Sequence, residues 1–191
     1  MNLVIASANA HKIKEIKAVL PSHIYLIGLD EIGFLQEIPE TEYTLEGNAL
    51  LKARTVFKYC GQNCFAEDSG LEVEALNYEP GVYSARYAGP QRSNEDNINL
   101  LLSKMKGLIN RSARFRTVIA LIINGTEYLF EGIVKGVITQ AKQGESGFGY
   151  DPIFIPDGYQ RTFAEMTLVE KNQISHRANA IAQLVKFINQ L

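Results

Sequence analysis

A chain of 191 residues suffices for one domain, or one domain with two lobes, around a substantial core. Hydrophobic residues make up 46% and charged residues 21%, the balance of an ordinary soluble globular protein. Nineteen Lys plus Arg against 21 Asp plus Glu leave a net charge of −2, which argues against a general nucleic-acid binder but allows a small anionic substrate where cations gather locally.

The chain opens with Met1-Asn2-Leu3-Val4-Ile5-Ala6-Ser7, which has no basic n-region and reads as a first strand, so a cytoplasmic protein is expected. His11–Leu20 follows with Ile13, Ile16, Val19 and Leu20 at helical spacing, and Ile24–Leu29 reads as a second strand. Asp30–Tyr43 is acidic and irregular, a loop. Thr44 to Cys60 has the apolar spacing of a helix. Asn63–Glu67 reads as a strand ending at Asp68-Ser69-Gly70, and Leu71–Ala75 alternates as a half-buried strand does. Ser93-Asn94-Glu95-Asp96 has the form of a capped helix start leading into Ile98–Lys106. Ala113–Ile123 and Thr126–Thr139 are two β-forming runs joined by Asn124-Gly125, a strong hairpin signal. Thr167 is placed to cap a short helix, and the last helix, from about Ser175, carries Ala178, Ile181, Ala182, Val185 and Ile188 on one stripe. Helices thus mix with isolated strands and a long hairpin, which predicts an α/β or α+β fold with a mixed sheet. The longest apolar run, Val118 to Ile123, is too short to span a bilayer. Cys60 and Cys64 form a lone C-x3-C without a second pair or a nearby His, and read as free thiols rather than a metal site.

Four places could carry chemistry. In Ser7-Ala8-Asn9-Ala10-His11-Lys12, Asn9 is a good N-cap and Lys12 falls in the first helical turn. A cation there opposes the helix dipole unless an anion binds at the same end; a merely tolerated surface lysine is the plainer reading. Glu67-Asp68-Ser69-Gly70 offers adjacent carboxylates on opposite faces of a strand, suited to Mg²⁺ and its retained waters, or else a solvated strand end and turn. Glu40, in the acidic loop, could add a second carboxylate. Gly147-Phe148-Gly149-Tyr150-Asp151-Pro152-Ile153-Phe154 alternates glycines with aromatics, as a clamp on a flat heterocycle would, or as a bend whose rings plug the core. Lys171, Ser175, His176 and Arg177 gather donors near the start of the last helix, again where the dipole disfavours cations.

Taken in order, these strings resemble the inosine triphosphate pyrophosphatase family, also called dITP/XTP pyrophosphatases. Ser7 to Lys12 with Glu15, Glu46-Gly47-Asn48-Ala49-Leu50-Leu51-Lys52-Ala53, Glu67 to Leu71, Pro80-Gly81-Val82-Tyr83-Ser84-Ala85-Arg86, Gly147 to Phe154 and Ser175-His176-Arg177 span positions 7 to 177. The resemblance implies a single α/β domain over residues 1–191, two-lobed, with a long curved mixed sheet flanked by helices and a central active-site cleft, assembled as a homodimer. It implies Mg²⁺-dependent hydrolysis of ITP, dITP and XTP to the monophosphate and pyrophosphate, with neither nucleic acid nor membrane as partner. By the same resemblance, Ser7, Ala8, Asn9, Ala10, His11, Lys12 and Lys52 bind the triphosphate. Glu40 and Asp68 hold the metal, Asp68 also accepting the proton. Ser69, Phe148, Gly149, Tyr150, Asp151, Lys171, His176 and Arg177 contact the base and sugar. The chain departs from the family in having Ser7-Ala8-Asn9 where Thr-Gly-Asn is commoner, and Glu67-Asp68 where many bacterial relatives have Asp-Asp. The role of Glu67 is left open by that second departure.

Overall fold

A computed structural model describes all of residues 1–191. Six strands, β1 (Asn2–Ile5), β2 (Tyr25–Ile27), β3 (Cys64–Val73), β4 (Ser112–Ile123), β5 (Thr126–Ile138) and β6 (Phe154–Pro156), form one sheet in the order β2-β1-β3-β4-β5-β6. β1 is parallel to β2 and β3, whereas β5 and β6 are antiparallel, so the sheet is mixed as the sequence predicts. Five α-helices accompany it: α1 (Ala10–Val19), α2 (Leu45–Cys60), α3 (Asn94–Lys104), α4 (Leu168–Asn172) and α5 (His176–Ile188). Asn124 and Gly125 both adopt positive φ, 50° and 79°, as the tight β4–β5 hairpin requires. No helix is long and apolar enough to cross a membrane.

The chain divides into two compact units. The first holds Met1–Asp68, Thr117–Gly132 and Arg177–Leu191; the second holds Ser69–Arg116 and Ile133–His176. In the first unit, alternate residues Leu3 and Ile5 of β1 and Ile119, Leu121 and Ile123 of β4 share a core with Ile16 of α1 and Ala180, Ile181 and Leu184 of α5. Period-two spacing on the strands and the i, i+3/i+4 stripe on the helices bring these side chains together. In the second unit, Leu71 and Val73 of β3 and Ala113 and Phe115 of β4 pack with Ile98, Leu101 and Met105 of α3. Phe154 and Phe163 complete this core, with Phe115 and Phe154 edge-on at 4.7 Å.

The cap expectations for Asn9, Ser93 and Thr167 hold: each accepts backbone N–H bonds at the start of α1, α3 and α4. Thr44, expected inside the second helix, is its N-cap and accepts the Gly47 N–H. Cys60 and Cys64 are free thiols; burial pushes the Cys64 thiol up to about 12.

β3 departs from the expectation. Asp68-Ser69-Gly70 is not the end of a strand: β3 runs unbroken from Cys64 to Val73. Leu71, Glu72 and Val73 are all buried, so this part is covered on both faces rather than half-buried. Gly70 supplies the physical reason. A Cβ there would lie 2.3 Å from the Gly81 carbonyl oxygen, so this glycine permits a close backbone approach within the second unit and makes no turn. Ser84 Oγ accepts the Leu71 N–H at 2.9 Å and donates to the Gly81 carbonyl at 2.6 Å, fixing that approach.

Candidate active site

In the first unit, two carboxylates close on one ammonium. α2 carries a buried stripe of Leu45, Asn48, Ala49, Lys52, Ala53 and Val56, so Asn48 and Lys52, one turn apart, point inward among apolar neighbours. Lys52 Nζ donates to Glu40 Oε1 at 2.7 Å and to Asp68 Oδ1 at 2.9 Å. Asn48 Nδ2 donates to the other Asp68 oxygen, Oδ2, at 3.3 Å, and Asn48 Oδ1 accepts the Glu42 N–H at 3.0 Å. One fully buried amide thus ties the segment bearing Glu40 to Asp68. Burial raises the Asp68 pKa above the ordinary aspartate value, although the Lys52 and Lys12 charges pull against it. Burial lowers that of Lys52, but the Asp68 and Glu40 charges outweigh it and the net shift is upward.

Glu67, the neighbour of Asp68 on β3, makes different bonds. It receives Lys12 Nζ at 3.0 Å and Arg177 Nε at 2.8 Å, and Arg177 also bonds Glu15 of α1. Burial alone would raise the Glu67 pKa, yet the Arg177 and Lys12 charges outweigh it and hold the carboxyl well below its usual range. At the start of α1, the Asn9 side chain accepts from the N–H groups of His11 and Lys12 at 3.1 and 3.2 Å, and the Asn9 N–H bonds Ser7 Oγ at 3.2 Å. Ala8, Asn9, Ala10 and His11 are exposed, with no acidic residue in the first turn.

A second cluster lies wholly in the second unit. Lys171 Nζ donates to Asp151 Oδ2 at 2.6 Å, and the same oxygen accepts the Phe148 N–H at 2.9 Å. The Lys171 ammonium sits 5.1 Å from the Phe148 ring centre and 5.3 Å from that of Phe163. His176 stacks on Phe115 with ring centres 4.7 Å apart and planes at 12°. Gly147, at φ 79°, is required here: a Cβ would fall 2.2 Å from Asp151 Oδ2. Gly149, at φ 60°, completes the turn. Tyr150 takes the core reading of this loop. It is 4% exposed and donates to the Ser84 carbonyl at 2.9 Å, and burial pushes its phenol well above the usual range. Phe148 is half-buried, as is Ser69 on β3.

Lys12, Glu40, Lys52, Asp68 and Arg177 therefore fall in one unit, and Phe148, Asp151, Lys171 and His176 in the other. No group of three or more His, Cys, Asp or Glu side chains gathers as a metal site. Glu40 and Asp68 nevertheless fit Mg²⁺ in their chemistry. They are hard oxygen donors aimed at a point where an ammonium is already held, and Mg²⁺ takes few protein oxygens. Asn48 is a site residue without a role among the sequence expectations. Its signal was available: an amide one turn before Lys52, on the apolar stripe of a helix. The bonds of Arg177 to Glu15 and Glu67 were equally unassigned, being contacts across 162 and 110 residues of chain.

Two carboxylates, one from a loop and one from β3, thus meet around a buried lysine of α2 in a chain with a mixed α/β fold. Residues 3–187 match the model of the Ham1 family, and the chain belongs to that family. It is 52% identical over 188 residues to the dITP/XTP pyrophosphatase of Flavobacterium johnsoniae, covering 98% of each chain. It is 54% identical over 187 residues to the dITP/XTP pyrophosphatase of Flavobacterium psychrophilum, again covering 98% of each. Its fold matches that of the Staphylococcus aureus Ham1 protein with a TM-score of 0.91 at 43% identity, covering 100% of this chain and 99% of that one.

Proposed function

We propose that the protein hydrolyses the non-standard purine nucleoside triphosphates ITP, dITP and XTP to the nucleoside monophosphate and pyrophosphate, removing them from the nucleotide pool. The observation that carries this reading is the convergence of Glu40 and Asp68 on Lys52, with Asp68 buried and its pKa raised. Water attacks the α-phosphorus, the bond to the bridging oxygen breaks, and pyrophosphate leaves with the electron pair. Asp68 orients the water and takes its proton; a carboxylate with a raised pKa is the better base near neutrality. Lys52 and Lys12, with the exposed Ala8, Asn9, Ala10 and His11 at the positive end of α1, meet the phosphate charge. Glu40 and Asp68 would hold Mg²⁺, which when bound neutralises triphosphate charge.

The second cluster receives the base. Asp151 fixes Lys171 beside the Phe148 face, and the donors of Lys171, His176 and the loop suit the 6-oxo acceptor of hypoxanthine and xanthine. Adenine offers an amino donor there and would leave these groups unpaired, a mismatch able to discriminate by up to ~10⁴-fold. We further infer a homodimer, in keeping with the family resemblance, and a cytoplasmic setting, which the two free thiols suit.

The test is incubation with Mg²⁺ and a panel of ITP, XTP, dITP, GTP, ATP and dUTP, resolving pyrophosphate from orthophosphate. Pyrophosphate from ITP, dITP and XTP is expected. Orthophosphate release, or no turnover of these three, overturns the proposal. Light scattering checks the dimer.

A further inference from the structure

The reaction above uses Asp68 and leaves its neighbour Glu67 unassigned. Glu67 is 1% exposed, and its two oxygens are occupied from two sides. Oε1 accepts Lys12 Nζ at 3.0 Å and Arg177 Nη2 at 3.2 Å; Oε2 accepts Arg177 Nε at 2.8 Å. The remaining Arg177 nitrogen, Nη1, bonds Glu15, which lies on α1 three residues beyond Lys12. Lys12, Glu67, Arg177 and Glu15 thus form a closed circuit of two cations and two anions that leaves α1 through one side chain and returns through another. All four belong to the first unit.

The circuit is not equally buried around its length. The side chains of Glu67, Arg177 and Glu15 are 0%, 2% and 6% exposed, whereas that of Lys12 is 17% exposed. Lys12 is therefore the member through which the network meets solvent, at the end of α1 where Ala8, Asn9, Ala10 and His11 are also exposed. A flexible lysine loses considerable rotamer freedom when it is fixed, and a cation in a first helical turn is opposed by the dipole. Glu67 offsets both effects, because it holds the ammonium at short range and is itself locked by Arg177. The geometry points to Glu67 as a positioning residue that presents Lys12 to the triphosphate, with Arg177 as its anchor, and not as a third oxygen ligand of the metal. This rests on the proposed role of Lys12 toward phosphate.

A double-mutant cycle tests it. Glu67→Gln is made in the wild-type and in the Lys12→Ala background, and magnesium pyrophosphate binding is measured by calorimetry alongside ITP kinetics. Glu67→Gln is expected to weaken pyrophosphate binding and raise KM about tenfold while kcat changes little, and to have almost no effect once Lys12 is gone. Glu67→Asp keeps a charge for Arg177 and serves if the Gln variant folds poorly; its loss, about threefold, likewise disappears without Lys12. A loss that persists undiminished in the Lys12→Ala background overturns the assignment. So does weaker binding of Mn²⁺ alone to the Gln variant, read by electron paramagnetic resonance. If the wild type turns over none of ITP, dITP and XTP while the pyrophosphate coupling stands, the proposed activity fails and the positioning role survives.

Discussion

Lys171 and Asp151 form an ion pair of 2.6 Å in which the two side chains are only 4% and 3% exposed. Neither charge has water to turn to if the other is removed. Lys171→Met should therefore destabilise the fold by about 3–5 kcal/mol. For a chain of this size the thermal midpoint falls by roughly 6–20 °C, read by calorimetry. Lys171→Arg keeps the charge and should lose less. A Met variant as stable as wild type would show that the pair has no structural weight.

Asp68→Asn should lower kcat about 10²–10⁴-fold, the range for loss of a general base. The Asp68 pKa is raised by burial, but its charge also helps to hold the buried Lys52 ammonium, which in the amide variant keeps Glu40 as its one carboxylate partner. Differential scanning calorimetry at neutral pH should therefore find a lower midpoint. Full kcat in a folded variant removes Asp68 from the role given to it.

Asn48→Leu deletes the 3.3 Å bond to Asp68 Oδ2, a bond that favours the ionised form. Asp68 must be deprotonated to accept a proton, so activity rises as pH passes its pKa. The variant should shift the acidic limb of kcat/KM to higher pH than wild type. Because the same substrate is titrated in both enzymes, the comparison isolates the protein group. Coincident limbs would separate Asn48 from Asp68.

Glu67 has the opposite sign. Its folded pKa is depressed by Arg177 and Lys12 against the burial penalty, so its contribution is complete above the ordinary glutamate value of 4.5 and is lost as pH falls through the folded value. Acid unfolding should therefore steepen below about pH 4. Arg177→Met should abolish that steepening, together with a loss of about 3–5 kcal/mol at neutral pH. Equilibrium urea unfolding at several pH values measures both.

Gly147→Ala meets two obstacles at once: a φ of 79° and an Asp151 oxygen 2.2 Å from the new methyl. The carboxylate must move, and Lys171 with it. KM for ITP should rise, whereas Gly149→Ala, strained at φ 60° but with open space around it, should leave Asp151 in place. Steady-state kinetics on the pair distinguishes backbone strain from displacement of the carboxylate.

Local physics made much of this legible in advance. Asn9, Ser93 and Thr167 announce their helices because a side-chain oxygen satisfies orphan N–H groups a few residues away. Asn124-Gly125 announces its hairpin because both residues tolerate positive φ. Asp68-Ser69-Gly70 misled because an Asp-Ser-Gly string has the local chemistry of a turn. What keeps it extended is the carbonyl of Gly81, eleven residues on, which only folding brings within reach of Gly70. Tyr150 offered two fates, and the Ser84 carbonyl, 66 residues away, decided for the core. The partners of Glu67 and Arg177 were hidden for the same reason: the individual residues were visible, but their pairing is a product of topology.

The unbroken course of β3 bears on the timing of catalysis. A proton acceptor carried on a mobile loop must be ordered afresh in each turnover, at a cost in conformational entropy that substrate binding has to supply. Asp68 sits in mid-strand, with its carboxylate already gripped by Lys52 and Asn48. Its ordering is completed once, when the chain folds, so in the proposed reaction every molecule of substrate meets a base that is already aimed.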